Sequence, residues 1–167
     1  MSGRLLPRWP RPGRTCFRLA GVLGVVLVVA RHPALAVTAD ETKALVDRAV
    51  KHLQVVGRQL AFAEITRPDG GFIDGELYVF CLSEDGVILA HGGNPLLVGK
   101  SLWNVRDPEG KRTTVEIIHL AQAKGQGWLE YLWPNLVTGR VQRKMTYVQR
   151  VDDHTFCASG YYEPDPP

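Results

Sequence analysis

The chain has 167 residues, of which 45% are apolar and 22% are charged, a composition typical of a single globular domain. The net charge of +3 is unevenly distributed, because residues 1–36 carry six arginines and no acid, whereas residues 37–167 carry 14 basic and 17 acidic side chains. The folded part is therefore mildly acidic and lacks the basic face of a typical nucleic-acid-binding domain. The composition also argues against a disordered chain and against a polytopic membrane protein.

Residues 1–36 have the pattern of an export signal. Arginines precede the twelve-residue apolar run Leu19–Ala30, and the small residues Ala34 and Ala36 follow at the positions that a signal peptidase recognises. Twelve helical residues span about 18 Å, which is short of the bilayer core of about 30 Å. We therefore expect a signal peptide cleaved after Ala36 and a soluble periplasmic product.

A long helix is predicted at the start of the mature chain, over about Ala39–Phe62. Thr38 and Glu41 have the spacing of a capping box, and apolar residues recur every three or four positions along the segment. Gly57 weakens the pattern and predicts a bend.

Five strands are predicted downstream of this helix. β-branched and aromatic runs, separated by turn signals such as Asp85-Gly86, place them at residues 77–82, 87–91, 127–133, 141–151 and 155–161. The order of elements predicts an α+β fold with one antiparallel sheet and helices on one side.

The connection between the second and third strands is predicted to be irregular at first and then helical. Pro and Gly residues interrupt the segment 94–110, where we expect one short helical turn at about Lys100–Asn104. A second capping-box spacing, Thr113 to Glu116, predicts a helix that closes at Lys124-Gly125. Residues 163–167 are rich in proline and are predicted to form a disordered tail.

Cys81 and Cys157 remain after removal of the signal. An even number of cysteines in an oxidising compartment favours a disulfide. Both also lie in apolar strand segments, where two buried free thiols are the alternative, and the residues alone leave this choice open.

No constellation of catalytic or metal-binding residues stands out. The segment Asn94–Ser101 ends like a phosphate-binding loop, but asparagine stands where that motif needs glycine. No nucleophile elbow is present. None of the histidines outside the signal has metal-ligand spacing: His52, His91, His119 and His154. We expect no enzymatic activity, no cofactor and no metal site.

Aromatic and cationic side chains are concentrated in the predicted sheet. Strand alternation places Tyr131 and Trp133 on one face, and it places Lys144 on the face opposite to Tyr147. Two interpretations remain open. The residues form core aromatics with surface cations, or they form a small pocket in which a hydroxyl or a cation holds a small anion.

A series of short motifs extends over most of the mature chain. In order they are Tyr78-Val79-Phe80, Leu89-Ala90-His91, Asn94-Pro95, Arg106-Asp107, Gly110-Lys111, Gly127-Trp128, Tyr131-x-Trp133, Lys144-x-x-Tyr147 and Gly160-x-Tyr162. Together they resemble a bacterial single Cache domain of the type 2 kind, over about Asp40 to Tyr162. After His91 the chain has Gly92-Gly93, where that family often has a proline.

The resemblance implies a PAS-like five-stranded sheet behind a long N-terminal helix, with the domain spanning residues 37–162. It implies an extracytoplasmic sensor whose small ligand, often a short carboxylate, lies between the sheet and the crossover segment. The implied ligand-binding residues are Arg106, Trp128, Tyr131, Lys144 and Tyr147, with Tyr78 and His91 nearby. We expect Arg106 to contact the anion, because a guanidinium offers two parallel donors and stays charged.

The resemblance further implies that the first and last strands are neighbours, which favours the pairing of Cys81 with Cys157. We expect an exported module that binds a small organic acid and acts with a membrane-bound signalling or transport protein. The alternative is an accessory protein that docks a partner through its sheet or its long helix. An exposed apolar stripe on the helix would favour that alternative.

Overall fold

The structure, a computed structural model, describes residues 37–164. The predicted signal segment 1–36 and residues 165–167 of the predicted tail lie outside the described residues. Between residues 37 and 164, no helix is both long enough and apolar enough to cross a membrane.

The N-terminal part forms two consecutive helices, α1 (Ala39–Val56) and α2 (Arg58–Thr66). The predicted capping box is present, since the Glu41 backbone N–H donates to the Thr38 hydroxyl and the Thr38 N–H donates to the Glu41 carboxylate. The predicted single helix breaks at Gly57 because this residue has a φ of +81°, outside the helical region.

The described residues contain seven strands, all paired antiparallel. They are β1 (Ile73–Asp74), β2 (Leu77–Tyr78), β3 (Phe80–Ser83), β4 (Ile88–His91), β5 (Gln126–Pro134), β6 (Val141–Asp152) and β7 (Thr155–Tyr162). Strands β1 and β2 form a hairpin, and the other five form a sheet of order β4-β3-β7-β6-β5. This confirms the predicted α+β fold, although the predicted first strand is divided between β2 and β3.

The crossover segment, residues 92–112, connects β4 to α3 (Thr113–Lys124). Two predictions about it were wrong. The short helical turn is a 3-10 turn at Pro95–Leu97, where the Asn94 side chain caps a turn that begins with proline. The capping box at the start of α3 is absent, because Arg112 occupies the N-cap position without a side-chain cap.

The sheet separates two hydrophobic cores. Helices α1 and α2 pack on one face, with the apolar stripe of α1 buried together with Cys81, Tyr147 and Cys157. Helix α3 packs on the other face, with Tyr78, Tyr131 and residues of β3 and β7. The prediction that helices cover only one side of the sheet was therefore wrong.

A disulfide lies within the α1–α2 core. Cys81 of β3 and Cys157 of β7 are direct partners in the strand register, their Cα atoms are 4.1 Å apart, and their sulfurs are bonded. Both residues are fully buried. Of the two alternatives left open by the sequence, the structure has the disulfide, which links the neighbouring strands β3 and β7.

Candidate functional site

A small cavity lies on the α3 face of the sheet, beneath the crossover segment. Its volume is about 20 Å³, room for about one water molecule. Aromatic and aliphatic side chains form most of the wall, with a few polar groups among them. The lining residues are Tyr78, Phe80, Leu82, Ile88, His91, Leu102, Thr113, Thr114, Ile117, Tyr131 and Trp133.

Lys144 of β6 lies directly behind this wall and is completely buried. Its Nζ donates a hydrogen bond of 2.7 Å to the Tyr78 hydroxyl. The same nitrogen is 3.9 Å from the Tyr78 ring centroid and 4.8 Å from that of Tyr162, close enough for cation–π attraction. Burial lowers the pKa of Lys144 to about 7, against a smaller opposing effect of the Glu76 carboxylate.

The Glu76 carboxylate favours the charged form of this amine less than burial disfavours it, and it does not pair with the amine. Across residues 37–164, no carboxylate forms an ion pair with Lys144 within 4.0 Å. The Glu76 carboxylate accepts a hydrogen bond of 3.5 Å from the Asn135 side chain. A buried ammonium without a counter-charge is unstable in a protein interior, so this position favours an anion.

Tyr131 keeps a hydroxyl proton for further donation, whereas the Tyr78 proton has an acceptor. The Tyr78 oxygen accepts from Lys144, and the Tyr131 oxygen accepts a bond of 3.1 Å from the Thr146 hydroxyl. The Tyr162 hydroxyl donates to the Pro134 carbonyl, so its oxygen accepts the Tyr78 proton at 3.5 Å, and no acceptor for the Tyr131 proton is present in the described chain. Burial raises the pKa of both phenols, so both stay protonated donors.

His91 of β4 adds a third donor. Its Nδ1 accepts a 2.8 Å hydrogen bond from the Asn94 backbone N–H, which assigns the proton of the neutral ring to Nε2. The ring stacks on Tyr78 and Phe80, with centroids 5.0 and 5.7 Å apart. Burial, and to a lesser extent Lys144, lowers the pKa of His91 to about 4, so the ring is neutral at ordinary pH.

The site is therefore rich in donors and poor in acceptors. Tyr78, Tyr131 and His91 contribute polar groups to the cavity wall, the buried amine of Lys144 bonds Tyr78 from behind, and the rest of the wall is mostly apolar. This arrangement suits a small molecule with a negatively charged head and a short apolar tail.

Comparison with known proteins identifies the family. The model of the single Cache domain 2 family matches residues 28–157. The chain belongs to this family. The resemblance inferred from the sequence motifs is thereby confirmed, and Cache domains are sensory modules that bind ligands and are typically extracytoplasmic.

A curated relative of this Cache chain is the sensor histidine kinase MctS of Rhizobium johnstonii. The two are 30% identical over 132 residues, which make up 78% of this chain and 27% of the kinase. The chain thus spans about a quarter of the kinase's length.

Solved structures of chemotaxis proteins have the same fold as this Cache chain. A Cache chemosensory domain studied for carboxylic acid recognition is 25% identical, with a TM-score of 0.64 over 75% of this chain and 92% of that one. A methyl-accepting chemotaxis protein from Vibrio parahaemolyticus is 21% identical, with a TM-score of 0.65 over 74% and 86%. A periplasmic sensor domain of a chemotaxis protein is 24% identical, with a TM-score of 0.59 over 73% and 88%.

Four of the seven residues expected at the Cache pocket come together here, and three do not. Tyr78, His91 and Tyr131 line the cavity, and Lys144 bonds Tyr78 from behind its wall. Trp128 and Tyr147 are register partners on the opposite face, with ring centroids 5.2 Å apart, and the Tyr147 hydroxyl donates to the Gln126 side chain at 2.7 Å. The sheet itself separates these two aromatics from the cavity.

Arg106 lies outside the cluster as well. Its side chain is exposed on the crossover segment and donates a 2.8 Å hydrogen bond to the Gly110 carbonyl. The neighbouring Asp107 points inward instead and accepts from the backbone N–H groups of Glu109, Lys111 and Leu132. These bonds hold the crossover segment against β5, and they leave the arginine turned towards solvent.

Sequence reasoning missed two residues that shape the site. Thr146 bonds the Tyr131 hydroxyl, and strand alternation from Lys144 could have placed it on the same face. Gly160 leaves room for the lysine, since a Cβ at this position would lie 2.9 Å from Lys144 Cε and 2.5 Å from the Thr146 hydroxyl. Only the pairing of β6 with β7 reveals that contact.

Proposed function

We propose that the chain is an exported Cache-domain protein that binds a short carboxylate, as a sensory or binding module, at Lys144, Tyr78, Tyr131 and His91. One observation carries the proposal: the completely buried amine of Lys144, which has no ion-pair partner among residues 37–164, bonds Tyr78 of the cavity wall, and Tyr131 and His91 line the same cavity with available donors. A carboxylate ligand supplies both the acceptor atoms and the missing counter-charge.

The size of the cavity restricts the ligand to small acids. A volume of about 20 Å³ is less than an organic acid needs, so binding requires the cavity to widen. Leu102 of the crossover segment lines the cavity, and an outward shift of this segment is the simplest way to widen it. Acids of one to three carbons demand the smallest displacement.

The comparisons support a carboxylate over other small ligands. The chain is 25% identical to a Cache domain studied for its recognition of carboxylic acids, and that protein has 92% of its length covered by this fold. The donor set described here matches such a ligand independently of the likeness.

The docking alternative receives less support. The apolar stripe of α1 is buried against the sheet, including Leu45, Val46, Ala49, Val50 and Leu53. Val55 and Leu60 are the exposed large apolar residues of α1 and α2, and the break at Gly57 lies between them. They do not form the continuous exposed stripe that a docking helix presents.

A thermal-shift screen with paired ligands tests the proposal. Acetate and propionate should raise the melting temperature in a concentration-dependent manner, because binding to the native state alone stabilises it. Acetamide and propionamide have nearly the same shape without the charge and should have little effect. Equal shifts with acids and amides, or no shift with any monocarboxylate of one to six carbons, would contradict the proposal.

Two variants locate the binding site for the acids. Lys144→Met removes the positive charge and should abolish the shift, whereas Arg106→Ala removes an exposed charge and should leave it unchanged. The reverse pattern would return the site to Arg106 and the crossover loop.

Export is proposed because residues 1–36 contain an arginine-rich start, an apolar run and then small residues, in the order of a signal peptide. Mass spectrometry of the protein recovered from the periplasm should find Val37 as the first residue. A mature form that keeps Leu19–Ala30 would contradict the soluble state. In this proposal the module acts with a membrane-bound signalling or transport protein.

A further inference from the structure

We propose that an acid binds at this site together with a proton that is taken up by Lys144, so that above neutral pH the occupancy follows the undissociated acid rather than total carboxylate. This inference rests on the proposed function. It adds a dependence on external pH that a simple carboxylate site does not have.

The geometry around the amine leads to this inference. Lys144 is completely buried, and its amine bonds the neutral Tyr78 hydroxyl as its one hydrogen-bond partner among residues 37–164. The amine also lies over the faces of the Tyr78 and Tyr162 rings. In the ligand-free site the charged form therefore loses its hydration and gains no counter-ion. A carboxylate supplies that counter-ion, so the charged form is favoured once the acid is bound.

The other titratable groups that face the amine do not take up the proton, so Lys144 is its acceptor. They come from every strand around it: Glu76 between β1 and β2, Tyr78 on β2, His91 on β4, Tyr131 on β5 and Tyr162 on β7.

Burial raises the pKa of all three tyrosines, that of Tyr162 to about 12, and lowers that of His91 to about 4. Helix α3 and the crossover segment contribute Leu102, Thr113 and Thr114, which do not titrate. Burial lowers the pKa of Lys144 to about 7, so the amine changes charge within the pH range of the calorimetry described below.

Proton linkage then fixes the sign and size of the effect. Below pH 7 most of the amine is already charged, so the acid anion binds without proton uptake. Above pH 7 each bound anion must be accompanied by a proton, and the apparent affinity falls about tenfold per pH unit. The concentration of undissociated acid falls by the same factor per pH unit, so the two remain proportional.

Calorimetry of the intact exported protein with acetate and propionate tests this directly. Titrations in phosphate and in Tris, whose ionisation enthalpies differ, give the number of protons taken up per acid bound. We expect about 0.1 proton at pH 6, about 0.5 at pH 7 and about 0.9 at pH 8. Between pH 8 and pH 9 the dissociation constant should rise about tenfold.

Two variants identify which group accepts the proton. His91→Asn keeps an acceptor near the Asn94 N–H; it should weaken acid binding and retain the proton uptake per bound acid. Lys144→Arg keeps a permanent charge and should bind the acids without proton uptake or a pH-dependent affinity. Loss of the uptake in His91→Asn alone would assign it to the histidine and overturn the inference.

Binding measurements on the wild-type protein distinguish a failure of the proton linkage from a failure of the proposed carboxylate site. If acetate or propionate binds with no proton uptake and equal affinity at pH 6 and pH 9, the linkage is wrong while the carboxylate site stands. If neither acid binds at any pH from 5.5 to 9, the proposed function fails and the linkage fails with it.

Discussion

Replacing Lys144 with methionine should make the protein more stable while it abolishes acid binding. The pKa of this amine falls from 10.5 to about 7 on folding, which at about 1.4 kcal/mol per unit corresponds to a cost of about 5 kcal/mol at or below pH 7. Methionine fills a similar volume without charge. It also removes the hydrogen bond to the Tyr78 hydroxyl, a loss of about 1–3 kcal/mol, so the net gain is about 2–4 kcal/mol.

The pH dependence of this gain has a definite sign. Because the pKa of the amine is lower in the folded than in the unfolded protein, the unfolded state binds more protons between pH 7 and pH 10.5. The stability of the wild type therefore rises with pH over this window. The advantage of Lys144→Met shrinks accordingly and reverses by about 1–3 kcal/mol at the upper end, where only the lost hydrogen bond remains.

Urea denaturation at pH 6.5, 8 and 9.5 measures both effects, with the exposed Lys51→Met as the matched control. The control should change the free energy of unfolding by less than about 0.5 kcal/mol at each pH. A Lys144→Met protein that is less stable than the wild type at pH 6.5, or whose advantage does not change with pH, would refute the claim that the buried amine is uncompensated.

Three further substitutions should lower stability or weaken acid binding. Replacing Cys81 and Cys157 together with alanine opens a loop with a sequence separation of 76 residues and should lower the free energy of unfolding in urea by about 4.5 kcal/mol. Tyr131→Phe removes one charge-assisted donor and should weaken propionate binding about ten- to a hundredfold in calorimetry. Gly93→Ala puts a Cβ 2.8 Å from the Tyr78 ring and should displace that ring, which weakens binding and lowers the melting temperature.

Each of these outcomes has a contrary result that can be measured. Equal urea midpoints for the double alanine variant and the oxidised wild type would show that the disulfide adds no stability. Tyr161→Phe, on the other face of the sheet, serves as the control for Tyr131→Phe, and equal losses in both would deny a specific donor. Wild-type affinity in a folded Gly93→Ala would separate the Tyr78 ring position from binding.

Local signals in the sequence predicted most elements of the fold. The capping box at Thr38 and the apolar stripe of α1 depend on residues within one or two helical turns, and both are present. The turn at Asp85-Gly86 is likewise local, and Gly86 has a φ of +74°. The crossover segment has no such periodicity, and its 3-10 turn forms at Pro95–Leu97, away from the predicted position.

The composition of the site depends on cross-strand register, which the sequence does not encode locally. Alternation along β6 correctly separates Lys144 from Tyr147, because both lie on one strand. Trp128 pairs with Tyr147, and Tyr131 pairs with Lys144, so the hairpin register decides which face of β6 each of the two β5 residues shares. Without that register, Trp128 was grouped with residues that lie on the other side of the sheet.

The preference for Arg106 over Lys144 followed from bonding chemistry, and burial argues the other way. A guanidinium cannot discharge at any relevant pH, so burying one beside a ligand cavity without an acid would burden the ligand-free protein with a permanent uncompensated charge. An ammonium can release its proton when no anion is present and regain it when one binds. A completely buried, unpaired Lys144 can therefore become neutral in the ligand-free protein, whereas an arginine in its place would stay charged and lower the stability of that state.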